Sequence, residues 1–452
     1  VGILDTLAVG QRGLMAANAG IQVASENIAG ANTVGYHRRH SVQTTSDPVA
    51  RRGLWIGGGP RVEGVARSAD RILGARLVAS SGTSAYAAAM HQGVYEAEGA
   101  IAVTGATGLA DIASRFFDSL ATLTTDPSDP SARQATLGAA TQLTMAVSNT
   151  ATALQGSLDE LEASVADRVV SANALISEIA SLNKAIGRRG AEMGPADLLD
   201  RRDQAIRELA EEVGATVELE ASGQATVFVG DHAVVSGVDG RTLSASVVGG
   251  QLQVAVSVGG GSMVVQVGGQ AGGELAARDT VNDWMADLDT WTSTFSDTFN
   301  AQHALGFDSS GAAGGEMFGY DPVDPAASFH VAIDDPDALA LAGAVTANPG
   351  DGDNLSLLLD LEDSAMIGGY RPSEALTVLA ASAGTDVSAA EADSEALSEQ
   401  LADLDALRSS LSGVDTDEEA ISLIEYQAAY RAAARVLSVG DEMLRTLMQV
   451  GA

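Results

Sequence analysis

The side chains with which this chain could do chemistry are six histidines, 60 carboxylates and a single lysine, Lys184. His37 and His40 stand three residues apart, a spacing that can seat a metal on a helix. They fall instead in a turn-prone run beside Arg38 and Arg39, where a cation is repelled. His91, His232, His303 and His330 have no carboxylate at a helical ligand spacing. Asp351, Asp353 and Glu362 occupy positions one, three and twelve of a calcium loop, but Leu355 fills the fifth position and Ser356 the sixth, where the loop requires glycine. Lys184 has no phosphate-binding glycines before it, and the glycine clusters at 57–59 and 259–261 lack the strand, glycine and helix order of a dinucleotide site. The pairs Glu211–Glu212 and Glu418–Glu419 fall at a helix end and a helix start, and the second suits a helix N-terminus electrostatically. The residues therefore predict no enzyme, no metal and no cofactor.

The totals narrow the field further. A chain of 452 residues is long enough for two or three domains with cores of their own. With 25 basic residues against 60 acidic ones the net charge is −35, which repels nucleic acid and anionic lipid. There is no cysteine, so disulfides and thiol chemistry are excluded. No apolar run is long enough to cross a bilayer as a helix, and the first twenty residues do not read as a secretory signal.

With no chemistry to position, the organising elements are two apolar stripes at opposite ends of the chain. Ile3, Leu7, Gly10, Leu14, Ala17, Ile21, Ala24 and Ile28 recur at alternating steps of four and three. Leu423, Tyr426, Tyr430, Ala433, Leu437, Gly440, Leu444 and Leu447 do the same. A helix of this kind is marginal alone, and Gly10, Gly20 and Gly440 each cost it roughly 1 kcal/mol. Each large aliphatic side chain buried across a seam returns about 1.5–3 kcal/mol. The two ends are therefore expected to pair as a coiled coil, with each other or with a neighbouring copy. The candidate assembly residues are Ile3, Leu7, Leu14, Ile21, Ile28, Leu423, Tyr426, Tyr430, Leu437, Leu444 and Leu447.

Between the stripes the periodicity predicts a mainly α chain with a β insert. Residues 40–68 read as extended, with turns at Gly57 to Pro60, and a helix is expected from Asp70. Ser131 with Gln134 reads as a capping box opening a helix of some fifty residues that runs to Ile186. From Val213 to Gly269 the period changes to two, with turns at Ser222–Gly223, Asp239–Gly240 and Gly249–Gly250. Helix resumes near Glu274 with Trp284 and Trp291 in its core stripe, residues 306–372 are loop-rich, and Thr416 with Glu419 reads as the box that starts the last helix. The expected domains are terminal helices at 1–40 and 411–452, a helical rod at 41–212 and 274–410, and an antiparallel β module at 213–273.

The run Asn27-Ile28-Ala29, Asn32-Thr33, Gly35-Tyr36 after an amphipathic helix resembles the signature of bacterial flagellar axial proteins, the rod, hook and hook-associated families. The segments Ser114 to Leu137, Asn183 with Asp197 to Asp203, and Ser412 through Tyr426-Gln427-Ala428-Ala429-Tyr430 to Leu437 resemble the hook-associated protein 1 family. The resemblance covers roughly residues 1–45, 110–240, 274–361 and 405–450. It departs at His37-Arg38-Arg39, where that family usually has Ser or Thr, Arg and Gln. It implies a structural subunit of the hook–filament junction, exported by a type III channel without a cleaved signal peptide and located outside the cell. The partners it implies are further copies of the chain, the hook protein, a second hook-associated junction protein, and an export chaperone at the C-terminal helix. Nucleic acid and membrane insertion are not among them. Another axial protein, or a secreted adhesin or wall hydrolase, stays open as an alternative.

Overall fold

The computed structural model describes residues 3–51, 54–101, 108–187, 195–220, 223–345 and 350–450. Helix α1 (Ile3–Gly30) leads into a ribbon in which β1 (Arg39–Thr45) pairs antiparallel with β4 (Pro60–Arg67), and β2 (Val49–Arg51) with β3 (Leu54–Ile56). Helices α2 (Arg71–Glu98), α3 (Leu109–Thr122), α4 (Pro130–Gly187) and α5 (Ala196–Val213) follow. Next come strands β5 (Thr216–Leu219), β6 (Ala225–Val229), β7 (His232–Ser236) and β8 (Asp239–Gly240) in one sheet. A second sheet holds β9 (Leu243–Val248), β10 (Gln251–Val258) and β11 (Gly261–Val264), with β10 central. After α6 (Gly269–His303), the pair β12 (Phe318–Gly319) and β13 (His330–Val331) and the short α7 (Asp353–Leu359) lie in the loop-rich stretch before α8 (Pro372–Ser412) and α9 (Thr416–Val450). The chain is mostly helical with small antiparallel sheets.

Helix α4, 58 residues long, is the spine shared by two cores. Its first part, Leu137 to Leu161, packs with α3, α6 and α8 around Phe116, Phe117, Trp291, Phe295, Phe299 and Phe318. Its second part, Val165 to Ile179, packs with α5 and the two sheets. The buried stripe steps by three and four along α4, but takes two steps of four in succession at Leu161, Val165 and Val169. Such a stutter rotates the apolar face relative to the helix axis, and it falls where the helix leaves one core for the other. Trp284 and Trp291 are buried as the pattern of α6 requires, and each indole N–H has an acceptor, Asp386 Oδ2 at 3.0 Å and the carbonyl of Pro372 at 2.8 Å.

Several local expectations need correction. α4 starts one residue before Ser131, because Pro130 fits the first helical position, where no N–H is needed, and Asp129 Oδ1 accepts from Ser131 N at 2.8 Å. Ser131 and Gln134 therefore form no capping box. At α9 the cap is Asp415, whose Oδ1 accepts from Asp417 N and Glu418 N, rather than Thr416. Asp239 and Gly240 are not a turn: Gly237, at φ +59°, makes the reversal, and these two residues form β8 opposite Ser236 and Val235. Ser222 lies outside the described residues. Gly249 and Gly250 do form the β9–β10 turn, both at positive φ.

Helix α6 begins at Gly269, five residues ahead of the expected Glu274, through glycines that read locally as loop. They are there for close approach: a Cβ at Gly273 would lie 2.1 Å from the Tyr86 carbonyl oxygen on α2. His303, at the end of α6, is buried between loops, where its Nε2 accepts from Ala340 N at 3.0 Å and its Nδ1–H donates to the Gly315 carbonyl at 2.8 Å. Burial pushes its pKa down, partly opposed by the bond to Gly315, so the folded chain keeps it neutral.

Gly273→Ala should lower stability by about 1–3 kcal/mol, because backbone is what the new methyl meets. Gly138→Ala on the open face of α4, with nothing near the added Cβ, should raise it by about 0.4–1 kcal/mol. Denaturant unfolding of both variants checks the pair. The unfolded chain protonates His303 near pH 6.5, so its contribution is present above about that pH and lost as pH falls below it. Stability measured from pH 8 to 5 should decline in the lower half of that range, and His303→Gln should flatten the decline.

Candidate functional site

Helices α1 and α9 lie side by side and antiparallel. Leu7 faces Gly440, Leu437 faces Gly10, Ala433 faces Gly13 and Tyr426 faces Gly20, so partner numbers fall along α9 as they rise along α1. A Cβ at Gly20 would sit 2.5 Å from the Tyr426 ring, and one at Gly440 would sit 2.7 Å from Leu7 Cδ2. Glycines that weaken each helix in isolation are thus the places where the other helix inserts a large side chain.

Among the expected assembly residues, Leu7, Leu14, Ile21, Leu423, Tyr426, Leu437 and Leu444 are half-buried, while Ile28, Tyr430 and Leu447 are exposed. The side chain of Ile3 lies outside the described residues. The fully buried positions of α1 are smaller ones, Gly10, Ala16, Ala17, Gly20, Val23, Ala24 and Asn27. Two helices alone cannot surround a large side chain, so the large positions are covered on one side only. The outer face of the pair is also apolar. Ile421, Ile424, Val436, Val439 and Met443 on α9 are exposed, as are Leu4 and Met15 on α1. Val436, Val439 and Met443 line an open cleft of about 570 Å³ together with Thr6 of α1.

A polar joint ties this pair to the body of the chain. Asn27, fully buried at the end of α1, binds the backbone of Arg39 in both directions, Nδ2 donating to its carbonyl and Oδ1 accepting from its N–H, each at 2.9 Å. Tyr36 O–H donates to the same Oδ1 at 3.0 Å. Burial pushes the Tyr36 phenol up to about 12, against the pull of the nearby Arg39 charge, so it stays a donor. A Cβ at Gly30 would collide with the Tyr36 ring, and Gly35 takes φ +78° to return the chain. The sequence signature is therefore a fastening: Asn27 and Tyr36 hold the first residue of β1 against α1. Thr33 supplies backbone turn bonds to Gly30 and Tyr36, and Asn32 is exposed on that turn.

The three residues where the sequence departs from its resemblance carry the ionic part of the joint. His37 Nδ1 donates to Asp200 Oδ1 at 2.9 Å, and Arg67 binds Asp200 at 3.0 Å and Asp203 at 2.6 Å. Arg39 is buried over the Tyr36 ring, 4.6 Å from its centroid, and reaches Asp197, Asp200 and Glu26. Arg38 turns the other way, to Glu419 at 2.7 Å and Glu418 at 3.2 Å at the start of α9, while its N–H donates to the Ser412 carbonyl. Burial alone would raise the pKa of Asp200, but the hydrogen bonds and charges of His37 and Arg67 outweigh it and hold the carboxyl below its ordinary value. The pairing of the 37–39 run with Asp197 and Asp200 had no local signal, since its partners are about 160 residues away.

The other residues that carried the resemblance are structural pegs. Asn183 bridges Ala225 of β6 and Gly237 in the β7–β8 turn, and Arg202, buried, donates to the Gly223 carbonyl at 2.6 Å. Asp351 accepts from Asp353 N and Gly343 N, an ordinary turn role. Among the described residues no group of three or more His, Asp or Glu side chains is placed to hold a metal ion, and no helix is long and apolar enough to cross a membrane.

Residues 95–318 match the family model described as the flagellar hook-associated protein FlgK helical domain, and residues 408–450 match that of the flagellar basal body rod FlgEFG protein C-terminal region. The chain is 30% identical over 325 residues to flagellar hook-associated protein 1 of Escherichia coli (strain K12), an alignment covering 68% of this chain and 58% of that protein. It is 25% identical to flagellar hook-associated protein 1 of Bacillus subtilis (strain 168), covering 97% and 96% of the two chains. The structure of the flagellar hook junction protein FlgK from Burkholderia pseudomallei superposes with a TM-score of 0.68 at 16% identity, over 75% of this chain and 100% of that one, and shares its fold.

Asp200→Ala should cost about 3–5 kcal/mol at pH 7, because it leaves Arg39 and Arg67 facing a buried site without their shared carboxylate. The stabilisation from Asp200 is present above its unfolded pKa of about 3.9 and is lost as pH falls through the lower folded value. Wild type and variant should therefore converge in stability under strong acid, as denaturant unfolding at pH 7 and in strong acid would register.

Proposed function

This chain belongs to the flagellar hook-associated protein 1 family, and from that premise we propose that it is a non-catalytic subunit of the bacterial flagellum, forming the junction between hook and filament. The observation that carries this reading is the apolar outer face left on the paired end helices. A row of exposed Ile421, Ile424, Val439 and Met443 on one side of a helix pair is a surface that further copies would cover. The heptad spacing of both stripes and the antiparallel contact of α1 with α9 support a coiled coil as the packing unit.

In this account the segments 1–40 and 411–452 form the assembling core, 41–212 with 274–410 the rod around it, and 213–273 a β module carried outside. The subunit passes through the type III export channel and is located outside the cell. Its partners are sister subunits, the hook protein and a second hook-associated junction protein. Before export, a chaperone covers the Leu423 to Leu447 stripe of α9, which otherwise exposes an aggregating face. No step calls for a cofactor.

The variant Ile424→Glu with Val439→Glu places two charges on the outer face and leaves in place the side chains seated against the α1 glycines, Tyr426, Ala433 and Leu437. It should keep its helical circular dichroism yet reduce hook–filament junctions, counted by immunogold labelling in a strain lacking its own copy, by more than about tenfold. Full restoration of junctions by this variant would contradict the reading.

A further inference from the structure

From Thr242 to Gly273 the chain carries no Asp, Glu, Lys or Arg, the longest such stretch in a sequence whose residues are 19% charged and whose net charge is −35. Its residues from Leu243 to Val264 build the sheet of β9, β10 and β11, and its last five open α6. One face sinks Leu243, Leu252, Val254 and Val256 into the second core. The register puts Ser244, Ser246, Val248, Gln251, Gln253 and Val264 on the other face.

The two edges of this sheet are treated differently. At Leu243 the outer edge of β9 is closed by Asn173 of α4, which donates to the Leu243 carbonyl at 2.9 Å and accepts its N–H at 2.8 Å. On its far side β11 has no neighbouring strand among the described residues. All four of its residues are exposed, with Met263 at 49% and Val264 at 61%. It has none of the lysine, proline or bulge that ordinarily guards an open edge. A tight Gly259–Gly260 turn, both residues at positive φ, folds it back antiparallel onto β10.

The charge pattern indicates what covers such an edge. A strongly acidic surface keeps its own copies apart except where charge is missing, and it would draw a basic partner to the acidic faces instead. We infer that β11 is a docking strand for a second copy of this chain. The two β11 strands pair antiparallel about a two-fold axis and join two three-stranded sheets into one.

The chain has no cysteine, so a single introduced thiol reports this contact alone. Full-length Ser262→Cys and Val264→Cys, under mild oxidation, are compared with Val323→Cys, a loop position 80% exposed. At least one strand variant should form covalent dimer about tenfold or more faster than the loop control. Adding Met263→Lys should return it to the control rate, and adding Ile424→Glu on the terminal helix should leave it unchanged. Rates equal to the control in both strand variants would overturn the inference, as would pairing by some foreign strand in place of a copy. An acceleration that survives Met263→Lys, or one abolished by Ile424→Glu, would also overturn it, since the contact would then lie elsewhere or belong to the terminal helices.

Discussion

Neither end of this chain can bury its apolar stripe alone, and the body between them is built so that the two meet. Helix α1 carries glycines where a self-sufficient helix would carry alanine or leucine, and α9 fills those gaps with Tyr426 and Leu437. Each glycine costs its own helix about 1 kcal/mol, while each large side chain seated against it returns more than that. The contact is therefore favourable only as a pair. It couples Ile3–Gly30 to Thr416–Val450, across a loop formed by the rest of the molecule.

The joint beneath that pair explains why it has a defined direction. Asn27 replaces a strand neighbour for the first residue of β1, so the ribbon cannot rotate about the end of α1 without breaking buried bonds. Arg38 then reaches the start of α9, and Arg39 reaches α5. His37, Arg38 and Arg39, the three successive residues that lead into β1, thus tie three helices together. Further out, α4 performs a similar service over a longer distance, lending its first half to an aromatic core and its second half to a Val- and Ala-rich core beneath the sheets.

Much of this was legible in the sequence because it is periodic. The long helices, the switch to strands after Val213 and the Gly249–Gly250 hairpin all repeat a local pattern, and local patterns survive without a structure. Helix starts were harder. Ser131 and Thr416 each looked like caps, but an aspartate one or two residues earlier accepts the free N–H groups more strongly, and Pro130 moves the first turn forward. The glycines opening α6 read as loop because their purpose, room for the backbone of α2, exists only in three dimensions. In the end helices the spacing identified the stripes, but small residues such as Ala16, Ala17 and Ala24 are the ones fully enclosed. The signature residues Asn27 and Tyr36 were visible as a motif, whereas their work on Arg39, and the charges answering from Asp197 and Asp200, join distant segments and leave no local trace.

Helices α1 and α9 lie antiparallel in one molecule, in the register set by their glycines, and the rest of the structure depends on that pairing. A Cβ at Gly13 would stand 3.4 Å from the Cβ of Ala433, close to the roughly 3.5–4.5 Å that a disulfide spans. In a chain without native cysteine, the double variant Gly13→Cys with Ala433→Cys should oxidise to an intramolecular disulfide with the mass of a monomer. Thiols that stay free, or that cross-link only between separate molecules, would contradict the pairing.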